Sequence, residues 1–183
     1  PARARHRQAV HDRRAAPGLS LEPLGCLAEA QIRGRCLRLG PSLDGLVEIR
    51  PWIEQCFAAH PLPEARQIVL GAALYEAAAN VVEHGSVGNE GLEIHWVPMS
   101  RDGASSAPEG TCYFLFRDHG RPFSADNWQQ TDFTDPEVWK RKRGFGLDII
   151  HRAMKVVSYH PATPLGNITL MVFEPGHGSE ERE

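Results

Sequence analysis

Glu76-Ala77-Ala78-Ala79-Asn80-Val81-Val82-Glu83-His84 decides how this chain of 183 residues is read. Steps of four along a helix advance by about 40°, so Glu76, Asn80 and His84 follow one another along one face. A carboxylate, an amide and an imidazole aligned in this way suit a general base, a metal ligand and a cap on a binding site. The alanines at 77–79 would let a ligand approach the backbone, and Gly85 ends the helix. Taken alone, the same spacing also describes a solvated polar stripe on an amphipathic helix.

Working outward, Pro61-Leu62-Pro63 restarts the chain into that helix, expected over Glu64–Glu83. Upstream, the alternation within Ala30–Leu39 reads as a strand, and Gly40-Pro41-Ser42 as a turn with a helix N-cap. Leu43, Leu46, Val47, Ile49, Ile53 and Phe57 then recur at helical spacing, with Pro51 bending or dividing the helix. Downstream, Leu92–Val97 and Thr111–Phe116 read as strands, Phe145–Lys155 as a helix, and Val156–His160 and Ile168–Phe173 as closing strands. The polar stretch Arg117–Arg143 is too long for an ordinary connection and reads as a lid. Grouped strands with helices on one face make this an α+β two-layer sandwich with a mixed, mainly antiparallel sheet.

Two more segments carry chemistry. Asp118-His119-Gly120-Arg121-Pro122-Phe123 follows directly on a buried strand. An acid there, beside a glycine, can accept a hydrogen bond from a ligand amino group at close range, although Asp-x-Gly-x-Pro is also good turn chemistry. Lys140-Arg141-Lys142-Arg143-Gly144-Phe145-Gly146-Leu147 places four cations before glycines that open a helix, the composition of an anion site. It is not a Walker A loop, because no Gly-Lys-Ser/Thr occurs. It is not a dinucleotide fingerprint either, because Ile149 stands where the last glycine belongs.

Together, in this order and with a lid between the second and third, the three segments resemble the GHKL (Bergerat-fold) ATP-binding superfamily. Within it they look most like bacterial anti-sigma-factor serine/threonine kinases and related partner-switch kinases. The N-box pattern E-x-x-x-N-x-x-x-H falls on Glu76, Asn80 and His84. The D-x-G-x-P-F box falls on Asp118, Gly120, Pro122 and Phe123, and R-G-x-G-L on Arg143, Gly144, Gly146 and Leu147. The resemblance implies ATP and Mg²⁺ as ligands. Asn80 would hold Mg²⁺ against the phosphates, Asp118 would bind the adenine amino group, and Gly120 would let the base approach. Gly144, Gly146 and Arg143 would close the lid over the phosphates, with His84, Pro122, Phe123, Phe145, Leu147 and Thr169 completing the ATP-binding set. Glu76 would be the catalytic base. Gly166-Asn167 departs from the Gly-Thr that many members carry here, and Thr169 is the candidate substitute for that hydroxyl.

The implied activity is phosphorylation of a small antagonist protein, with sequestration of a sigma factor or similar target when the kinase is free. A nucleotide-binding interaction module without phosphotransfer is the alternative from another class. The ATPase core of a sensor histidine kinase is a third reading, suggested by His11-Asp12-Arg13-Arg14. Only about 20 residues separate His11 from the first expected strand, and no paired dimerisation helices follow.

Charge and composition narrow the classes further. The formal net charge is −3. Residues 1–15 hold five arginines against Asp12, leaving 15 basic and 22 acidic residues in the remainder. Such an acidic body does not suit a nucleic-acid reader. No apolar run approaches a membrane span and nothing at the start reads as a secretion signal. Cys26, Cys36, Cys56 and Cys112 lack metal-ligand spacing and read as reduced thiols of a cytoplasmic protein. Of nine histidines only His84 belongs to a motif, which argues against a histidine metal site. The expected organisation is a flexible basic arm over 1–29, the ATP-binding domain over 30–174 and an acidic tail over 175–183. The helix Leu43–Phe57, with Trp52 exposed, would dock a sigma factor or form a homodimer. Alternatively, Leu46, Ile49 and Ile53 are simply its core face.

Overall fold

The computed structural model describes residues 22–59, 61–85, 91–99, 107–122, 129–140 and 144–177. Five strands form one antiparallel sheet: β1 (Arg35–Leu39), β2 (Leu92–Pro98), β3 (Cys112–Asp118), β4 (Val156–Thr163) and β5 (Gly166–Phe173), in the order β1-β2-β3-β5-β4. Every residue from Cys112 to Phe116 is buried, because β3 lies at the centre with both faces covered. Alternation divides its side chains. Phe114 and Phe116 join Leu92, Ile94, Met171 and Phe173 on one face, whereas Tyr113 and Leu115 join Val97, Ile168, Leu170 and Val172 on the other.

Three helices cover the first face: α2 (Ile49–Cys56), α3 (Glu64–Gly85) and α4 (Gly146–Ala153). α3 buries Leu70, Ala73, Leu74, Ala77 and Ala78, an apolar stripe at helical spacing. Trp52 meets Phe114 edge-on at 6.2 Å between ring centroids, and Phe57 meets Trp96 at 5.6 Å. Trp52 is therefore not the exposed docking residue expected above: it is buried, together with Leu46, Ile49 and Ile53. The single helix expected over Leu43–Phe57 divides into a 3₁₀ turn, Leu43–Glu48, and α2. Pro51 then lies in the first turn of α2, where its missing N–H costs no helical bond. Ser42 caps the 3₁₀ turn as expected, accepting from the Asp44 N–H at 3.2 Å.

The helices on one face are the expected ones, but the opposite face carries a helix that was not foreseen. α1 (Pro23–Arg33) occupies residues assigned to the flexible arm and to the start of the first strand. It buries Cys26, Leu27 and Ala30 against the second face, and the Tyr113 hydroxyl reaches Glu29 Oε2 at 3.0 Å. Pro23 starts this helix rather than breaking it, because proline suits the first helical turn. Gly34 makes the passage into β1: a Cβ there would lie 2.5 Å from the Ala30 carbonyl oxygen. Residues 1–21, including His11 and the arginines of the arm, and 178–183 of the tail lie outside the described residues. Among the described residues no helix is long and apolar enough to cross a membrane.

Beside α1, the second face carries a charged cluster. Glu93 pairs with Arg38 at 3.0 Å and Arg117 at 2.8 Å, and lies 3.5 Å from Nε2 of buried His95. Burial, with Arg117 and Arg38 nearby, holds the proton affinity of His95 below the ordinary value of 6.5 against the pull of Glu93, and burial also lowers that of His160. The unfolded chain therefore takes up these protons more readily than the folded one. Their contribution to stability is complete above pH 6.5 and is lost as pH falls through the folded values. The thermal midpoint is expected to drop as pH falls below about 6.5, with a shallower drop in His95→Gln. Parallel melting curves that keep the same pH slope would contradict this. Burial also raises the thiols of Cys26 to about 11 and Cys56 to about 12, and all four cysteines are free.

Candidate functional site

The C-terminal turns of α3, the end of β3, the first turns of α4 and the β4–β5 pair surround a cavity of about 230 Å³. α3 contributes Ala77, Asn80, Val81 and His84, as steps of three and four along one helical face require. Asp118 and Pro122 enter from the end of β3, Leu147 and Ile150 from α4, and Thr169 and Met171 from β5. Of the residues singled out in the sequence, Asn80, His84, Asp118, Pro122, Leu147 and Thr169 thus share one cavity. Phe123 and Arg143 lie outside the described residues, as do Arg141 and Lys142. Lys140, the described member of the cation cluster, is ion-paired with Glu137.

Glu76 stands one turn before Asn80 and lies against the start of α4. A Cβ on Gly146 would fall 2.6 Å from Glu76 Oε2 and 3.6 Å from Asn80 Nδ2. The absence of a side chain at 146 is what lets the first turn of α4 approach this carboxylate and amide. Gly144, at φ +102°, turns the chain into Phe145, which occupies the N-cap position of α4.

Asp118 is buried, and both of its described bonds fall on one oxygen. Oδ1 accepts from the Gly120 N–H at 2.8 Å and from Asn167 Nδ2 at 2.9 Å. Among the described residues no donor reaches Oδ2. A carboxylate with one oxygen committed and one available, in a cavity walled by Val81, Phe116, Leu147, Ile150 and Met171, suits a flat apolar ring bearing an amino group.

The segment expected as a lid is anchored at its far end. Asp148, in the first turn of α4, is buried and accepts from both the Thr131 N–H (2.8 Å) and its hydroxyl (2.6 Å). Phe133 packs against Phe145 at 5.7 Å, and the Arg152 guanidinium lies 4.4 Å from its ring centre. Sequence reading passed over Asp148 and Thr131, 17 residues apart, because nothing local signals their pairing. It also passed over Arg121, Tyr159 and His160, which line the cavity. Among the described residues no group of three or more His, Cys, Asp or Glu side chains is arranged to hold a metal ion. A dication here would instead take the Asn80 amide oxygen and the oxygens of an anionic ligand.

The sequence model of the histidine kinase-like ATPase domain family matches residues 40–173. No curated protein matches the chain.

Proposed function

The chain belongs to the histidine kinase-like ATPase domain family, and from that premise we propose that it is an ATP-dependent serine/threonine protein kinase of a partner-switching module. Its substrate would be a small antagonist protein, and its target a sigma factor or similar regulator. The observation that carries this reading is the seat of Glu76. Its carboxylate lies beside Asn80 and the glycine-opened start of α4. Asn80 in turn lines the cavity that Asp118 enters, with no donor among the described residues on Asp118 Oδ2.

Asp118 Oδ2 accepts from the exocyclic amine of adenine, and the apolar wall encloses the ring. The first turn of α4 turns unpaired N–H groups towards the phosphates, as helix N-termini do. The Asn80 amide oxygen would hold Mg²⁺, which would supply neutralisation of phosphate charge. Glu76 accepts the proton of the attacking serine or threonine hydroxyl. That oxygen bonds to the γ-phosphorus as the bond from phosphorus to the β–γ bridging oxygen breaks, and ADP leaves. Asp148 is the weaker candidate for this role, because Thr131 donates to both of its oxygens.

The test is incubation of the protein with γ-labelled ATP, Mg²⁺ and its cognate antagonist. Label on an antagonist serine or threonine is the expected outcome. Tight ATP binding with no transfer to any antagonist that co-purifies would replace the kinase by a nucleotide-gated binding module.

A further inference from the structure

Asn167 stands where many relatives by resemblance carry threonine, and its contacts are not those of a ligand-binding hydroxyl. Its two amide hydrogens go to Asp118 Oδ1 at 2.9 Å and to the Gly120 carbonyl oxygen at 3.1 Å. Its oxygen accepts from the Ala162 N–H at 3.0 Å. Ala162 has φ +54°, in the left-handed region, at the register shift that interrupts β4 between His160 and Thr163. One side chain therefore ties together the end of β3, the turn after it and the irregular end of β4.

The backbone next to it is shaped for this reach. Gly166 has φ +103°, and a Cβ there would lie 2.4 Å from the Asp118 carbonyl oxygen and 3.1 Å from the His119 ring. A side-chain-free residue lets β5 press against Asp118–His119 closely enough for the following amide to span both partners.

We propose that Asn167 is a positioning residue for base selection: it saturates Asp118 Oδ1 and thereby fixes Oδ2 as the carboxylate oxygen that a bound nucleobase meets. The inference rests on reading this cavity as a nucleotide site, and it adds to that reading a determinant of which base is accepted. Asn167 acts through Asp118, because its own donors and its oxygen are engaged within the protein. A fixed carboxylate oxygen favours a 6-amino purine. It repels a 6-oxo purine, whose exocyclic oxygen is also an acceptor. Without the amide, the Asp118 carboxylate is free to turn and share its charge between both oxygens, so selection weakens along with affinity.

The test compares ATP and ITP binding by calorimetry in the wild type, Asn167→Asp and Asn167→Ala. Asn167→Asp places a second carboxylate about where the amide donates to Asp118. Its ATP affinity at pH 8 is expected to fall at least tenfold, roughly the worth of one charge-assisted hydrogen bond. The deficit should shrink as pH is lowered towards about 5.5, because a proton shared by the paired carboxylates restores a donor to Asp118. His84, His119, His160 and Arg121 also face this region, but they are present in both proteins and cancel when the variant is divided by the wild type. Asn167→Ala is expected to lose most of the preference for ATP over ITP, with no recovery in acid.

A purely structural role would weaken both nucleotides equally and at every pH, and that result would overturn the proposal. So would unchanged affinity and unchanged base preference in Asn167→Ala. A wild type that binds ATP with a clear preference over ITP, beside variants that behave identically, would remove only the role of Asn167. A wild type that binds neither nucleotide would remove the nucleotide reading itself, and this inference with it.

Discussion

Replacing Glu76 by glutamine is expected to lower phosphoryl transfer to the antagonist by about 10²–10⁴-fold, the usual contribution of a positioned general base. ATP affinity should remain within a few-fold of wild type. The two readouts separate because the substitution keeps the side chain's size beside Gly146 while removing its capacity to take a proton. Other nearby groups are poorly placed to replace it. Both oxygens of Asp148 are held by Thr131, and Asp118 is committed at Oδ1 to Gly120 and Asn167. His84 lies two turns further along α3, with its side chain 67% exposed. Initial rates with labelled ATP, set beside calorimetric titration of both proteins, make the measurement. A Glu76→Gln protein that transfers phosphate at the wild-type rate would take the proton-accepting role away from this residue.

Asp118→Asn should have the largest effect on nucleotide binding. The new amide is held by the same neighbours: its oxygen keeps the bonds from the Gly120 N–H and Asn167 Nδ2, so its NH₂ group falls where Oδ2 stood. A donor then confronts the amino group of adenine, itself a donor. The loss combines a missing charge-assisted hydrogen bond with a buried donor left unpaired, so affinity for ATP is expected to fall by about 100-fold or more. ITP, whose 6-oxo group accepts, should lose much less, and the gap between the two nucleotides should narrow or reverse. Thermal melting within a few degrees of wild type would show that the exchange has left the fold intact. ATP binding unchanged in this variant would mean that Asp118 does not read the base.

The site was legible where its chemistry is local. Glu76, Asn80 and His84 are spaced by the helical repeat itself, and Gly144 and Gly146 announce a helix start through the residues they lack. β2, β3 and β5 were legible from alternation and from unbroken apolar runs, and the structure moves their ends by only a residue or two. α1 was not, because Pro23 reads as a breaker and Ile32, its most apolar-looking member, is 83% exposed. Trp52 misled in the opposite sense. Its place on α2 was evident, but its burial depends on Phe114, which arrives from the central strand. Asn167 marks the same limit: its partners Asp118 and Gly120 lie 49 and 47 residues away. A departure from a familiar pattern could be seen in the sequence, but what it does depends on the pairing of β3 with β5, which sets Asn167 opposite Asp118.

The most direct test of the central claim is chemical-shift mapping of the ¹⁵N-labelled protein during titration with Mg-ATP. The account predicts saturable shifts concentrated in the backbone of Ala77–His84, Gly120, Gly144–Leu147 and Asn167, together with the Asn80 and Asn167 side-chain amides. Cys36, Glu93 and His95, on the opposite face of the sheet, should stay unmoved. Shifts confined to that opposite face, or none at all at millimolar Mg-ATP, would contradict it.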